Sequence, residues 1–355
     1  MKKEEFKTEI NRIRDSIGTL LEIRGVYYDG QNITILGSPW FPMEDWQEDV
    51  SNHLFDLGYE VRFEQNNGQT IMELSRIGKK VKPPFPWINL ILFFLTVLST
   101  FAAGTLMENI DPFKNPLLIY RGATFAVPLL LILLFHEFGH YIMSRRSRIK
   151  VSLPYFIPGP TILGTFGAII RSKSPFKNRK ELLDVGATGP IAGFVISIIA
   201  LIFGLAISQV VKEMPGQAII LGDSLAFKFI SWLVIKNPPE GYDVLLSPMA
   251  FAGWAGLLVT MLNLLPIGQL DGGHIAYALF GKKQKFIALI IVISLIPLGF
   301  FLWQGWFLWL VMAFIVRIPH PPTLNDAVPL DNKRKVVGWI SLVIFILCFS
   351  PVPIK

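Results

Sequence analysis

The chain has 355 residues, of which 52% are hydrophobic and 17% are charged, and its mean hydropathy is +0.49. Soluble domains carry about a quarter charged residues, so this composition excludes an ordinary soluble protein and indicates a polytopic membrane protein. The net charge of +7 does not indicate nucleic-acid binding, because the basic residues cluster beside apolar runs, where they set membrane topology.

Residues 1–82 form a polar segment that is predicted to fold as a small α+β domain. Apolar spacing and turn residues predict a helix over 4–21, a hairpin at 25–28 and 33–36, a helix over 43–57, and a second hairpin at 59–63 and 70–74. The segment contains no catalytic cluster of side chains. We therefore expect an accessory domain that can receive a regulatory partner. Lys79, Lys80 and Lys82 at its end place it on the cytoplasmic side of the membrane.

Residues 83–355 are predicted to form the transmembrane domain. Seven apolar runs are candidates to cross a bilayer, at 87–106, 120–144, 182–208, 248–280, 286–302, 303–316 and 336–351. With the N-terminus in the cytoplasm, every basic cluster falls on one face, as the positive-inside rule requires. The sequence thus predicts an all-α polytopic protein with about seven spans, embedded in the lipid bilayer of the plasma membrane.

The stretch 151–181, between the second and third runs, has a different pattern. Its proline and glycine residues disfavour a long helix. Residues 161–170 are nevertheless apolar and β-branched, which favours a β-hairpin that dips into the membrane, buried in protein or lining a cavity. A surface loop with some apolar content is the alternative.

The motif HExxH lies inside the second apolar run, as His136, Glu137 and His140. Residues four apart share one face of a helix, so the two imidazoles can point at one metal ion. Glu137 can accept a proton from a metal-bound water. Ionisable side chains in hydrocarbon are costly and indicate a functional site. The alternative is a helix-terminal cluster that is solvated at the membrane surface.

A catalytic zinc ion usually has three protein ligands and one open position, so a third ligand is needed. The single cysteine excludes a Cys-rich site. Counted back from the basic clusters that follow them, His136 and Asp271 both lie roughly 13–17 Å from the cytoplasmic end of their helices. Asp271 is therefore the predicted third ligand. His274 is its rival, although a hydrogen-bonding role is favoured for it, and His320 is predicted to lie outside the membrane.

Two motifs together resemble the site-2 protease family of intramembrane zinc metalloproteases. They are HExxH at 136–140 and Asn-x-x-Pro-x-x-x-Leu-Asp-Gly at 263–272, with small residues at 186–193 between them. The resemblance covers about 117–280, the predicted protease core. It implies one Zn²⁺ held by His136, His140 and Asp271, with Glu137 as the catalytic acid and base and Asn263 supporting the substrate or the reaction intermediate.

The predicted function is hydrolysis of peptide bonds within or next to transmembrane segments of membrane-protein substrates. Such a segment must unwind before attack, and its freed backbone groups then need partners. The hairpin can supply them by β-strand addition, while Pro266 breaks its helix and exposes further backbone groups. The residues predicted to support the substrate or intermediate are Asn263, Pro266, Gly164, Thr165, Phe166 and Gly167.

Two other classes of protein are weighed against this enzyme. A metal or solute transporter would carry acidic or His residues on several spans, and these spans carry almost none outside the two motifs. A catalytically silent membrane-assembly factor would carry a damaged motif, whereas His136, Glu137 and His140 are intact.

Overall fold

The computed structural model describes residues 3–29, 32–40, 46–66, 69–76, 85–172, 174–212, 220–236 and 238–354. The chain divides into two compact units. The first contains Met1–Pro84 and Pro322–Pro329, and the second contains Phe85–Pro321 and Leu330–Lys355. The boundaries predicted from the sequence place Pro322–Pro329 in the transmembrane domain instead.

The first unit combines two helices with a four-stranded antiparallel sheet of order β1-β2-β4-β3. Its elements are α1 (Lys3–Ile17), β1 (Leu21–Tyr28), β2 (Asn32–Pro39), α2 (Gln47–Asp56), β3 (Tyr59–Asn66) and β4 (Gln69–Arg76). The predicted small sheet is therefore confirmed. The turn residue Gly30 and the start of the predicted helix at 43–45 lie outside the described residues.

Alternation along the strands explains why one face of this sheet is buried. Ile33 and Ile35 of β2 lie opposite Leu74 and Met72 of β4, and all four side chains are buried. Because side chains on a strand alternate between the two faces, these pairs point to the same side. Helical residues spaced by four complete the core, namely Ile13 and Ile17 of α1 and Val50 and Leu54 of α2.

The second unit is mainly helical. Its elements are α3 (Trp87–Met107), α4 (Ala123–Arg146), β5 (Tyr155–Pro158), β6 (Thr165–Ile169), α5 (Arg179–Ala206), β7 (Gln209–Lys212), α6 (Leu225–Val234), β8 (Tyr242–Leu245), α7 (Pro248–Asn263), α8 (Asp271–Phe280), α9 (Gln284–Phe301), α10 (Trp306–Ile315) and α11 (Asn332–Cys348). Helix α5 is central, because it packs against α4, α6, α7, α8 and α11.

Within the described part of the chain, four helical stretches are long and apolar enough to cross a membrane: Trp87–Met107, Pro116–Arg146, Arg179–Ala206 and Asp271–Phe301. Helices α6, α7 and α10 are apolar but shorter. The ten residues of α10 extend about 15 Å, roughly half the hydrocarbon thickness of a bilayer. These four stretches support a membrane protein that is built mainly of apolar helices.

The run at 248–280 is broken, as its proline and glycines predict. Helix α7 ends at Asn263 and α8 begins at Asp271, with Pro266 between them. The first turn of α8 packs on the backbone of this break, because a Cβ on Gly272 would lie 1.9 Å from the carbonyl oxygen of Leu264. Only glycine permits that approach, and it places Asp271 at the start of α8.

A hairpin is present between the second and third runs as the antiparallel pair β5–β6. The predicted range 161–170 supplies only its turn and second strand, because the first strand, β5, precedes that range. Helix α3 holds the hairpin at both ends. The side-chain amide of Asn89 donates to the carbonyl oxygens of Leu153 (3.0 Å) and Pro154 (2.9 Å), at the base of the hairpin. The Ser99 hydroxyl donates to the carbonyl oxygen of Gly164 at the turn, over 2.6 Å.

Candidate metal centre

Helix α4 carries the whole HExxH motif on a buried surface. His136, Glu137 and His140 are 4%, 6% and 8% exposed. The imidazoles lie one helical turn apart with their ring centroids 5.0 Å from each other, as spacing by four residues requires. The alternative of a cluster solvated at a helix terminus does not fit this burial.

The side chain of Asp271 meets both imidazoles. Its Oδ2 lies 3.2 Å from Nε2 of His136 and 3.3 Å from Nε2 of His140, and the two Nε2 atoms are 3.2 Å apart. A tetrahedral zinc ion with ligands at about 2.0–2.1 Å separates its ligand atoms by about 3.3–3.4 Å. The three spacings therefore match the edges of one face of that tetrahedron.

The ring of His140 is oriented by α5. Its Nδ1 lies 2.8 Å from the carbonyl oxygen of Val185. A carbonyl oxygen only accepts hydrogen bonds, so Nδ1 carries the proton and Nε2 of the neutral ring presents a lone pair to Asp271. Lone pairs and a carboxylate oxygen thus converge on one point, an arrangement that a cation satisfies.

Two glycines of α5 leave room for the imidazoles where α4 and α5 approach each other closely. A Cβ on Gly189 would lie 2.1 Å from Nε2 of His140, and one on Gly193 would lie 3.0 Å from Nδ1 of His136. These distances show that small residues within 186–193 let α4 and α5 approach each other closely. The imidazoles lie directly over the glycines of α5.

Two further predicted residues lie beside this trio. Glu137 is close enough to His136, His140 and Asp271 to interact electrostatically with all three. Asn263, the last residue of α7, has its side-chain Nδ2 3.2 Å from Nε2 of His136. The carboxyl group of Glu137, which can act as an acid or a base, and the side-chain amide of Asn263 therefore lie beside the three candidate ligand atoms.

The other predicted residues lie elsewhere in the unit. Pro266 is in the break between α7 and α8, where its carbonyl oxygen accepts a hydrogen bond from Gln284 over 3.2 Å. The hairpin residues are Gly164 at the turn and Thr165, Phe166 and Gly167 on β6. Strand β6 packs beside α4, so the hairpin is a neighbour of the motif helix rather than part of the ligand cluster.

His274 is not in the ligand cluster. It makes a hydrogen bond instead, with its Nδ1 2.6 Å from Nε2 of His320. His320 is likewise outside the ligand cluster, but it is 8% exposed and packs against Tyr277 and His274 of α8. Helix α10 ends at Ile315 after only ten residues, and the chain that follows returns to α8.

Residues 124–301 match the model for Peptidase family M50. The match begins within α4 and ends with α9, and it encloses His136, Glu137, His140 and Asp271. The chain belongs to this family. Because M50 is the site-2 protease family, the resemblance noted in the sequence is confirmed.

Several M50 relatives are plant proteins. The chain is 33% identical over 320 residues to "Probable zinc metalloprotease EGY1, chloroplastic" of Arabidopsis thaliana, covering 80% of this chain and 58% of that protein. It is 32% identical over 249 residues to "Probable zinc metalloprotease EGY2, chloroplastic" of Arabidopsis thaliana, covering 69% of this chain and 45% of that protein. The EGY1 protein of Oryza sativa subsp. japonica is 30% identical over 324 residues, covering 81% and 55%.

The chain spans about half the length of these M50 relatives. Their names place them in the chloroplast. The membrane character predicted here agrees with the apolar helices, whereas the plasma membrane has no counterpart in those names.

Substituting Gly189 tests whether α5 makes room for the ligands. We expect Gly189→Ala to lower the zinc content of the purified protein at least tenfold, because the added methyl group would overlap the His140 ring. Metal analysis by mass spectrometry measures this content. Val195→Ala, which shortens a side chain that is 48% exposed on the same helix, is the control and should bind zinc like wild type. Equal zinc contents would contradict the proposed packing.

Proposed function

We propose that this chain is an intramembrane zinc metalloprotease that cleaves peptide bonds within or next to transmembrane segments of membrane-protein substrates. The observation that carries the proposal is the convergence of His136, His140 and Asp271 within 3.3 Å, in a unit of apolar helices. Membership of family M50 and relatives named as probable zinc metalloproteases support it.

The donor set fits one zinc ion. Two imidazole nitrogens and one carboxylate oxygen, with a fourth position left for water or substrate, are a common catalytic arrangement. His136, His140 and Asp271 would hold the ion. When bound, zinc lowers the pKa of a water molecule and offsets the negative charge that develops on the attacked carbonyl group.

The protein's own groups supply the proton transfers. Glu137 would accept a proton from the attacking water and later donate it to the amine that leaves. Its burial keeps that carboxyl group away from bulk water. The amide of Asn263, beside the His136 ligand atom, can donate a hydrogen bond to the oxygen of the reaction intermediate.

The hairpin is proposed to bind the substrate in an extended form. An unwound transmembrane segment exposes backbone groups that need hydrogen-bond partners in a membrane, and a strand edge provides them. Strand β6 lies beside α4, and its Phe166 is 66% exposed. The Thr165 hydroxyl donates to the carbonyl oxygen of Ile157 (2.7 Å) and accepts from the backbone N–H of Gly167 (2.9 Å), which holds the strand in shape.

We propose the seven-span topology with a cytoplasmic N-terminus for the second unit. Helices α3, α4 and α5 would be the first three spans, α7 with α8 the fourth, and α9, α10 and α11 the last three. Gly281, with a φ of +58°, ends α8 ahead of Lys282 and Lys283, which favours a turn at the cytoplasmic face. The proposed partners are the bilayer, a transmembrane substrate and a regulatory protein at the N-terminal unit, with the plasma membrane as the predicted location.

The proposed activity is tested on purified full chain in detergent with a panel of single-span substrates. We expect cleavage that a zinc chelator abolishes and added zinc restores. Glu137→Gln should lower kcat about 10²–10⁴-fold while one zinc per chain remains, because it removes the acid and base but no ligand. Full activity of Glu137→Gln would refute its role, and zinc uptake into vesicles without any cleavage would favour a transporter.

Substituting Gly164 tests the role of the hairpin. Gly164 has a φ of +74°, and a Cβ there would lie 2.4 Å from the carbonyl oxygen of Ser99. Gly164→Ala should therefore cost about 1–3 kcal/mol locally and displace the turn from α3. We expect KM for a transmembrane substrate to rise several-fold with zinc content unchanged. Ile162→Ala, an exposed position in the same turn, is the control, and identical KM values for both variants would remove the hairpin from the mechanism.

A further inference from the structure

The segment between α10 and α11 connects the two units, and we call this segment together with the first residues of α11, residues 317–334, the strap. It lies beyond the part of the chain that matches family M50, which ends at residue 301. Its first and last residues belong to the second unit, whereas Pro322–Pro329 belongs to the first. One end of the strap contacts the helix that carries Asp271. The other end contacts the turn of α5 that holds the carbonyl oxygen beside His140.

The first end is bonded to α8. Nδ1 of His320 faces the carbonyl oxygen of Pro321 at 2.5 Å, which only accepts, so in the neutral ring Nε2 accepts from Nδ1–H of His274. The His320 ring also stacks on Tyr277, with centroids 4.7 Å apart. His274 lies one turn after Asp271 on the same helix, so the strap is attached to the helix that carries this ligand.

The same end is also bonded to the break before α8. The buried side chain of Gln284 accepts from the backbone N–H of His320 over 3.1 Å and donates to the carbonyl oxygen of Pro266 over 3.2 Å. The backbone N–H of Gly268 donates to the carbonyl oxygen of Ile318 over 3.0 Å. The strap therefore holds the chain on both sides of Asp271.

The second end is bonded to α5. The guanidinium of Arg334 forms a two-pronged contact with Asp184, with Nε 2.8 Å from Oδ1 and Nη2 2.7 Å from Oδ2. Such paired, charge-assisted bonds fix geometry as well as energy. Asp184 immediately precedes Val185, whose carbonyl oxygen orients the His140 ring. This end therefore braces the turn of α5 that sets the second ligand.

The middle of the strap is held within the first unit. The side-chain amide of Asn325 donates to the side-chain oxygen of Gln47 on α2. The Thr323 hydroxyl donates to Asp326 over 2.7 Å and closes a turn beside it. Only a few residues of chain separate this middle part from each end of the strap.

We propose that the strap positions Asp271 and His140 from its two ends, and that the N-terminal unit acts on the metal centre through it. His320 and Arg334 are positioning residues in this proposal, since neither is among the ligands. The proposal rests on the proposed zinc site and adds the route by which a partner of the N-terminal unit regulates it. Partners of metal ligands typically change metal affinity about 10–100-fold when they are removed.

The test measures zinc release from the purified full chain to an excess of a chromogenic chelator, together with kcat and KM on a transmembrane substrate. His320→Ala and Arg334→Ala should each release zinc about tenfold faster and lower kcat with little change in KM. His320→Gln, whose amide can still accept from His274, should recover most of the wild-type rate. Asn325→Ala, which releases the middle of the strap, should accelerate zinc release by a smaller factor.

Two controls separate positioning from general stability. Lys333→Ala removes the same charge from an exposed neighbour of Arg334 and should release zinc like wild type. Ile344→Ala creates a cavity under α11, where Ile344 is 6% exposed, and should lower thermal stability with little effect on zinc release. Wild-type release rates in His320→Ala and Arg334→Ala, or an equal acceleration in Ile344→Ala, would overturn the proposal.

Failure of the proposed function gives a different result. A wild-type protein that holds zinc but cleaves no substrate refutes the protease, while zinc release still decides the role of the strap. A wild-type protein that holds no zinc overturns both.

Discussion

The close approach of three atoms that can bind a metal ion is the constraint on which the rest of the second unit depends. Two imidazole nitrogens and a carboxylate oxygen lie within 3.3 Å of one another among largely buried side chains. Converging lone pairs and a buried charge need a bound cation or a shared proton between them. The surrounding helices hold these atoms in place, and each neighbouring element contributes to that task.

The contributions are divided among different elements. Helix α4 supplies both imidazoles and Glu137, and α5 supplies the glycine surface and the carbonyl oxygen that orients His140. The break between α7 and α8 brings Asp271 into contact with both imidazoles. Because a broken helix leaves backbone groups without intrahelical partners, the backbone groups at the break need hydrogen bonds from other parts of the chain. Gln284 and the strap provide them, which links the metal centre to a segment that the N-terminal unit holds.

Sequence patterns predicted the features that depend only on residues close together in the chain. The spacing of His136 and His140, the proline and glycines around Asp271 and the alternation in the N-terminal strands each report the geometry of one element. The contact between His274 and His320, the fork of Arg334 on Asp184 and the carbonyl oxygen of Val185 were missed. They join residues far apart in sequence and leave no periodic signal. Helix α10 begins at Trp306 rather than at the predicted residue 303, because the chain from Trp303 to Gly305 forms the turn after α9.

X-ray absorption at the zinc edge of the purified, zinc-loaded protein tests the central claim most directly. Two nitrogen ligands from imidazoles and oxygen ligands, all at about 2.0–2.2 Å and in four-coordinate geometry, are the predicted first shell. In Asp271→Asn the shell should lose its carboxylate oxygen while both imidazole signals remain. A sulfur ligand at about 2.3 Å, a single imidazole, or a spectrum unchanged by Asp271→Asn would contradict the account.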